Sequence, residues 1–245
     1  MHPRLLTATV GRILGQLRHD RPTVALVLLM PILLLTLVKY MFSGNDPSFQ
    51  RAALVMLGIF PFVLMFVVTS IAMLRERVSG TLERLLTTPV GKLDLLFGYG
   101  LAFALAATVQ GGVATALAYW LLGLETAGPV WLVILIAVAN AVLGVALGLL
   151  CSAFARTEFQ AVQFMPAVAI PQILLCGLFV PREQMAPWLE AISNVLPLSY
   201  SVEALLEVGA NVDPTGVMWR DLGIVLGAVV LALALGGLTL RRRSA

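Results

Sequence analysis

The sequence predicts an all-α fold, that of a polytopic membrane protein with six transmembrane helices. Three observations carry this. The 245 residues are 60% hydrophobic and only 12% charged, with a mean hydropathy of +0.96; a soluble domain averages roughly half and a quarter. The apolar residues come in six runs, 23–42, 52–74, 98–122, 130–154, 159–180 and 222–240, each close to the roughly 20 residues that span hydrocarbon at about 1.5 Å rise per residue. The basic residues are also segregated. With both termini inside, the inner side holds Arg4, Arg12, Arg18, Arg21, Arg75, Arg77, Arg84, Lys92, Arg156, Arg241, Arg242 and Arg243, and the outer side only Lys39, Arg51, Arg182 and Arg220. That is the bias expected when basic loops resist translocation. It accounts for the net charge of +3 without nucleic acid.

Before the first run, Leu6, Val10, Ile13, Leu14 and Leu17 recur at helical spacing, with Arg4, Arg12 and Arg18 on other faces. Residues 4–21 therefore read as a basic amphipathic helix lying in the inner interface; the alternative is a frayed basic tail. Arg21-Pro22 turns the chain into the first span. No A-x-A-like site follows that span, so it is expected to stay in the mature protein. Lys39 sits at its outer end as a snorkelling anchor. The connection 43–51, with Gly44, Asn45, Asp46 and Pro47, makes the first two spans antiparallel neighbours. Pro61 is expected to kink the second span, and Gln110-Gly111-Gly112 to interrupt the third.

The fourth run carries Asn140 and the series Gly144, Gly148 and Ser152, a spacing of four that lets helices approach closely in a bilayer. The fifth contains Pro166 and Pro171 with Gln160, Gln163 and Gln172. It is expected to bend, with its polar groups facing protein or a cavity. Residues 181–221 are too patterned for a plain loop. Met185, Trp188, Leu189, Ile192 and Leu196 follow helical spacing, Pro197 breaks the pattern, and a second short helix is expected from Ser199 to Val208. Two half-helices at the outer interface fit this region. Cys151 and Cys176 both fall inside spans and read as small packing residues, not a disulfide.

No phosphate loop, H-E-x-x-H or G-x-S-x-G motif occurs. His2 and His19 lie in the basic amino-terminal segment, so no metal is expected. No carboxylate falls near the middle of a span, which argues against a proton- or cation-driven relay. Energy must come from elsewhere, or the protein is passive.

The segment after the second run supplies a candidate route. In residues 78–88, Val78, Leu82, Leu85 and Leu86 form an apolar stripe, while Glu76, Arg77, Glu83 and Arg84 display both signs of charge. Ser79 is placed to cap its amino end. Pro89 ends it, because the residue before a proline is pushed out of the α region. A helix of two to three turns at 78–89, held between two spans, reads as a docking handle. The alternative is a positive-inside loop that happens to be helical.

Two stretches resemble a known family. The string Arg75-Glu76-Arg77-Val78-Ser79-Gly80-Thr81-Leu82-Glu83-Arg84-Leu85-Leu86-Thr87-Thr88-Pro89 is similar to the signature of type 2 ABC exporter permeases, and most of all to the daunorubicin-resistance and nodulation-factor export branch. Gly177-Leu178-Phe179-Val180-Pro181, Trp188-Leu189, Leu196-Pro197-Leu198-Ser199-Tyr200 and Glu203-Ala204 are similar to that family's outer re-entrant hairpin, here 181–221. The family often has an arginine shortly after the Leu-Pro-aromatic element. Here Ala204-Leu205-Leu206-Glu207 follows, so that arginine's role does not carry over.

The resemblance implies a single transmembrane permease domain over 1–245, multi-pass in the plasma (inner) membrane with both termini cytoplasmic. It implies a separate ABC ATP-binding subunit that binds the ATP, a second permease copy, and no cofactor of the chain's own. Residues Glu76, Gly80, Thr81, Leu82, Glu83, Arg84 and Pro89 would form the ATPase-coupling site, with Glu83 and Arg84 foremost. Pro181, Trp188, Pro197 and Tyr200 would belong to the outer hairpin. Phe60, Phe66, Gln110, Gln163 and Gln172 are candidates for the path of an amphipathic or hydrophobic substrate, as are Phe62, Phe164 and Phe179. Two other classes stay open, a membrane-embedded lipid-modifying enzyme and a passive channel or immunity subunit.

Overall fold

The computed structural model describes residues 3–42, 44–79 and 92–239. Nine α-helices follow one another among them: α1 (Pro3–His19), α2 (Arg21–Met41), α3 (Asp46–Val78), α4 (Lys92–Leu122), α5 (Val130–Ser152), α6 (Glu158–Leu175), α7 (Pro187–Ser193), α8 (Pro197–Ala210) and α9 (Gly216–Thr239). Five of them, α2, α3, α4, α5 and α9, are long and apolar enough to cross a membrane. The sixth expected span, 159–180, is shorter than its apolar run. Helix α6 has 18 residues, about 27 Å at 1.5 Å per residue. It stops at Leu175 because Gly177 adopts φ +92°, a left-handed conformation that costs glycine little and turns the chain out of the helix.

Local chemistry sets the helix starts. Asp20 caps α2 by accepting from the Thr23 backbone N–H at 3.3 Å and the Thr23 hydroxyl at 2.7 Å. Asn45 caps α3 through Ser48 N–H at 3.3 Å, and Thr157 caps α6 through Gln160 N–H at 3.2 Å. Each satisfies a donor that the first helical turn leaves without a partner. Pro197, expected as a breaker, is the first residue of α8, a position where proline's missing N–H costs nothing. The half-helix expected before it shrinks to α7. Helix α3 runs unbroken through Pro61, and α4 runs unbroken through Gln110-Gly111-Gly112, so the third span is not interrupted.

Helices α3 and α5 form the centre of the bundle. Gly144 and Gly148 of the series lie along their contact, while the buried Ser152 donates to the Leu149 carbonyl of its own helix at 2.6 Å. A Cβ at Gly148 would stand 2.6 Å from the Phe66 carbonyl oxygen, and one at Gly144 would collide with that of Phe62. Backbone thus meets backbone, the close packing that holds helices together where lipid is as apolar as the side chains. Asn140, fully buried, donates to the Gly58 carbonyl oxygen and accepts from the Ser201 hydroxyl at 3.0 Å, joining α5 to α3 and α8. Leu198, Val202, Leu205 and Val208 of α8 complete the main core. Both cysteines are free, and Cys176 is buried.

Helix α1 lies against the start of α4; among its described side chains Ile13 is buried and Val10 and Leu14 are half-buried, which matches its amphipathic pattern. Lys39 ion-pairs with Asp46 at 3.3 Å and rests over the Phe49 ring at 4.4 Å.

Candidate functional site

The expected handle begins where α3 ends. Glu76, Arg77 and Val78 form the last turn of α3, and Ser79 is its C-cap, its N–H donating to the Arg75 carbonyl at 2.9 Å. Ser79 therefore closes α3, and the segment whose start it is expected to cap lies outside the described residues. Gly80, Thr81, Leu82, Glu83, Arg84 and Pro89 lie outside the described residues.

Two ion pairs pin that end of α3. Arg12 of α1 donates through Nη1 to Glu76 Oε1 at 3.0 Å and through Nη2 to the Tyr99 hydroxyl oxygen at 2.6 Å. Its guanidinium lies 5.8 Å from the Tyr99 ring centroid, and Gln16 Nε2 adds a 3.4 Å bond to the same Glu76 oxygen. The Glu76 side chain is 11% exposed and that of Arg12 31%. Glu76 Oε2 is buried and has no hydrogen-bond partner among the described residues. One residue earlier, Arg75 grips Glu158 of α6 through both carboxylate oxygens, at 2.9 and 3.2 Å. This pair is open to solvent, with side chains 59% and 54% exposed. Adjacent residues of one helix thus hold α1 on one side and α6 on the other.

A second polar assembly closes the opposite end. Arg182, just after the Gly177 turn, pairs with Glu203 of α8, donates to Asn194 Oδ1 and lies 5.1 Å from the Tyr200 ring centroid. Glu203 also meets Arg220 of α9 at 3.4 Å, and Arg220 in turn binds the fully buried Asp221 at 2.7 Å. Burial and the neighbouring Asp221 carboxylate raise Glu203 above the ordinary carboxylate range, against the pull of Arg182 and Arg220. The turn after α6 is tied to the helices that follow it. Ser193 and Ser199 donate to the Leu175 carbonyl at 2.8 and 3.4 Å. Tyr200 donates to the Asn194 carbonyl at 2.7 Å. Of the expected hairpin residues, Tyr200 and Pro181 border this assembly, Pro197 starts α8, and Trp188 is exposed.

The expected path residues are not brought together. Phe66 is fully buried in the core and Phe60 half-buried. Gln172 is committed to structure, donating to Val168 O at 3.2 Å and accepting from Leu198 N–H at 3.3 Å. Gln163 is exposed. Gln110 is buried, and neither atom of its amide has a partner among the described residues. Among the described residues, no group of three or more metal-ligating side chains gathers.

Sequence reasoning missed the Arg12–Glu76–Tyr99 cluster, the Arg75–Glu158 pair and the Arg182–Glu203–Arg220–Asp221 chain. Its one usable signal was the polar face of α1, which placed Arg12 away from the apolar stripe without naming a partner.

The sequence model of the ABC-2 type transporter family matches residues 4–208, a range that takes in both assemblies except Arg220 and Asp221. Similar proteins include the probable multidrug ABC transporter permease YbhR of Escherichia coli (strain K12), 28% identical over 156 residues, 64% of this chain and 42% of that protein. The linearmycin resistance permease protein LnrN of Bacillus subtilis (strain 168) is 26% identical over 168 residues, 69% of this chain and 43% of that protein. ABC transporter G family member 20 of Dictyostelium discoideum is 29% identical over 141 residues, 58% of this chain and 19% of that protein. The matched region is thus less than half the length of these relatives.

Proposed function

The chain belongs to the ABC-2 type transporter family, and from that premise we propose that it is the transmembrane subunit of an ATP-driven exporter. It moves an amphipathic or hydrophobic substrate, a drug-like compound, lipid or glycolipid, out across the plasma membrane. A separate ATP-binding subunit supplies the work, and a second copy of the permease completes the unit. In this reading α6 is the sixth span, made tolerable by the two serine hydroxyls that donate to its last carbonyl, that of Leu175, since irregular backbone at membrane depth needs protein partners. Both termini then lie in the cytoplasm with the α3–α4 connection. The names of the bacterial relatives, a multidrug permease and a linearmycin resistance permease, favour drug-like cargo.

The observation that carries the proposal is the family match running through the end of α3 and on into α8. In mechanism, ATP binding draws the ATP-binding subunits together, and residues 79–89 pass that movement into α3 and α4. Such coupling requires a contact that differs between two ATPase states. Glu83 and Arg84 are the charged groups assigned to it.

The test is co-expression with the cognate ATP-binding subunit, followed by transport in inverted vesicles. Glu83→Ala is expected to insert normally and lose export; unchanged export overturns the role of Glu83. Failure of any ATP-binding subunit to co-purify with the wild-type chain overturns the exporter reading itself.

A further inference from the structure

A cleft of about 690 Å³ opens between α1, α2, α3 and α4, away from the path residues, within the 300–1,000 Å³ range of small-molecule sites. Its lining is sorted by depth. Along α3 it runs from Leu64 through Val67, Val68 and Ile71 to Glu76 and Ser79, about 22 Å of helix at 1.5 Å per residue. The deep part is apolar throughout, with Leu26 and Val27 of α2 and Phe103 of α4 facing the same α3 stretch. All the polar groups collect at the α1 end: Gln16, Asp20, Thr23, Arg75, Glu76, Ser79 and Tyr99. This order, polar at one mouth and apolar in depth, is that of a lipid lying in one leaflet.

The charges at the mouth are equally specific. Glu76 spends Oε1 on Arg12 and Gln16, but its Oε2 is buried and lacks a hydrogen-bond partner among the described residues. A buried carboxylate oxygen without a donor is costly. Asp20 adds a second carboxylate, which accepts the capping bonds from Thr23 and attracts the Arg75 guanidinium through space. Arg75 commits Nε and Nη2 to Glu158, and among the described residues its Nη1 has no hydrogen bond. The mouth therefore offers acceptors for an ammonium group and, beside them, one guanidinium donor for a phosphate.

We infer that this cleft is a binding site for an aminophospholipid of the α1-side leaflet. The primary ammonium lies between Glu76 Oε2 and Asp20, the phosphate at Arg75 Nη1, and an acyl chain along Val67, Ile71, Leu26 and Phe103. An anionic headgroup without an amine leaves Glu76 Oε2 unsatisfied and meets two carboxylates. The site needs no ATP-binding subunit, so it stands or falls separately from the exporter reading.

The test uses the full chain in phosphatidylcholine nanodiscs, which present both leaflets and so do not depend on orientation. A trace of phosphatidylethanolamine with a photoactivatable acyl chain is compared with phosphatidylglycerol bearing the same chain, and labelled residues are mapped by mass spectrometry. The amine probe is expected to label α2 and α3 residues of the cleft about tenfold above the glycerol probe, the ratio that one charge-assisted contact supplies. Ile71→Trp and Val67→Trp, which fill the cleft without touching either ion pair, should each abolish that labelling. Glu76→Gln retains an acceptor for Arg12 and should bring the two probes to parity. Equal labelling of wild type by both probes overturns the proposal, as does an amine preference that survives in either monodisperse tryptophan variant. If both tryptophan variants misfold, an undiminished preference in Glu76→Gln overturns it.

Discussion

Replacing Arg12 with alanine removes the tie that holds α1 to the end of α3, and the geometry sets the size of the effect. Arg12 makes two directed bonds, at 3.0 Å to Glu76 and 2.6 Å to Tyr99. Hydrogen bonds to charged groups contribute about 1.5–3 kcal/mol, while fully exposed ion pairs contribute about 0.2–1 kcal/mol. With Glu76 only 11% exposed but Arg12 31% exposed, the pair falls between these regimes. Arg12→Ala should cost about 2 kcal/mol, much of it from leaving Glu76 buried without its cation. Glu76→Gln alone should cost about 1 kcal/mol, because the amide oxygen still accepts from Arg12. In the double variant no buried charge is left, so its cost should fall below that of Arg12→Ala, to about 1 kcal/mol, a coupling of about 2 kcal/mol. Reversible unfolding by dodecyl sulfate in mixed micelles reads all three variants. Additivity within about 0.3–0.5 kcal/mol would refute the reasoning, since the two side chains would then not share an interaction.

Three further outcomes follow from the same structure. Arg75→Ala breaks a bidentate but exposed pair and should cost under about 1 kcal/mol in the same unfolding measurement; a loss like that of Arg12→Ala would contradict the ranking. Gly144→Ala drives a methyl into the Phe62 backbone, whereas a Cβ at Gly112 meets nothing within 4 Å. The first should lower the yield of folded protein sharply, with at least the 1–3 kcal/mol of overpacking. The second should be neutral or stabilising by up to about 1 kcal/mol. Equal behaviour of the two would show that α3 and α5 are not in backbone contact. Glu203 has a raised folded pKa, so the stabilisation linked to its protonation is fully present below its ordinary value and fades as pH rises through the folded value. Melting curves taken across the acidic range should therefore show wild type gaining on Glu203→Gln as pH falls; a gap independent of pH would remove Glu203 as the titrating group.

The sequence pattern was legible wherever one helix could be read by itself. Apolar length located α2, α3, α4, α5 and α9, helical periodicity located α1, and the four-residue spacing of Gly144 and Gly148 identified the close face of α5. Boundaries failed where a residue's effect depends on its surroundings. The apolar run ends at residue 74, where the charges Arg75, Glu76 and Arg77 follow in a row, yet Arg75 and Glu76 have partners, and the helix continues through all three. Pro197 opens α8 where a mid-helix proline would have broken it, and Leu178 to Val180 continue an apolar run after Gly177 has already ended the helix. The pairs themselves were out of reach. Arg12 and Glu76 are 64 residues apart and Arg75 and Glu158 are 83 apart; hydropathy shows which face of a helix is polar but carries no information about which distant charge it meets. The same applies to Gln172: a glutamine in an apolar run does not reveal that its amide oxygen accepts from the Leu198 N–H and so joins α6 to α8.

These pairs also rank the ways in which the bundle can yield. Helix α3 is a single rod of 33 residues, about 50 Å long. It is held along its middle by direct backbone contact with α5, and at its far end Arg51 Nη2 donates to the Gly177 carbonyl at 3.4 Å. Bending such a rod breaks its own hydrogen bonds, so a push at Ser79 must instead move α3 against a neighbour. At that end the two ties differ in strength. Arg75–Glu158 is solvated on both sides and inexpensive to exchange for water, while Arg12–Glu76 is largely desolvated and backed by Tyr99. Under the proposed coupling, α1, α3 and the start of α4 would travel together, and the first relative displacement would open between α3 and α6.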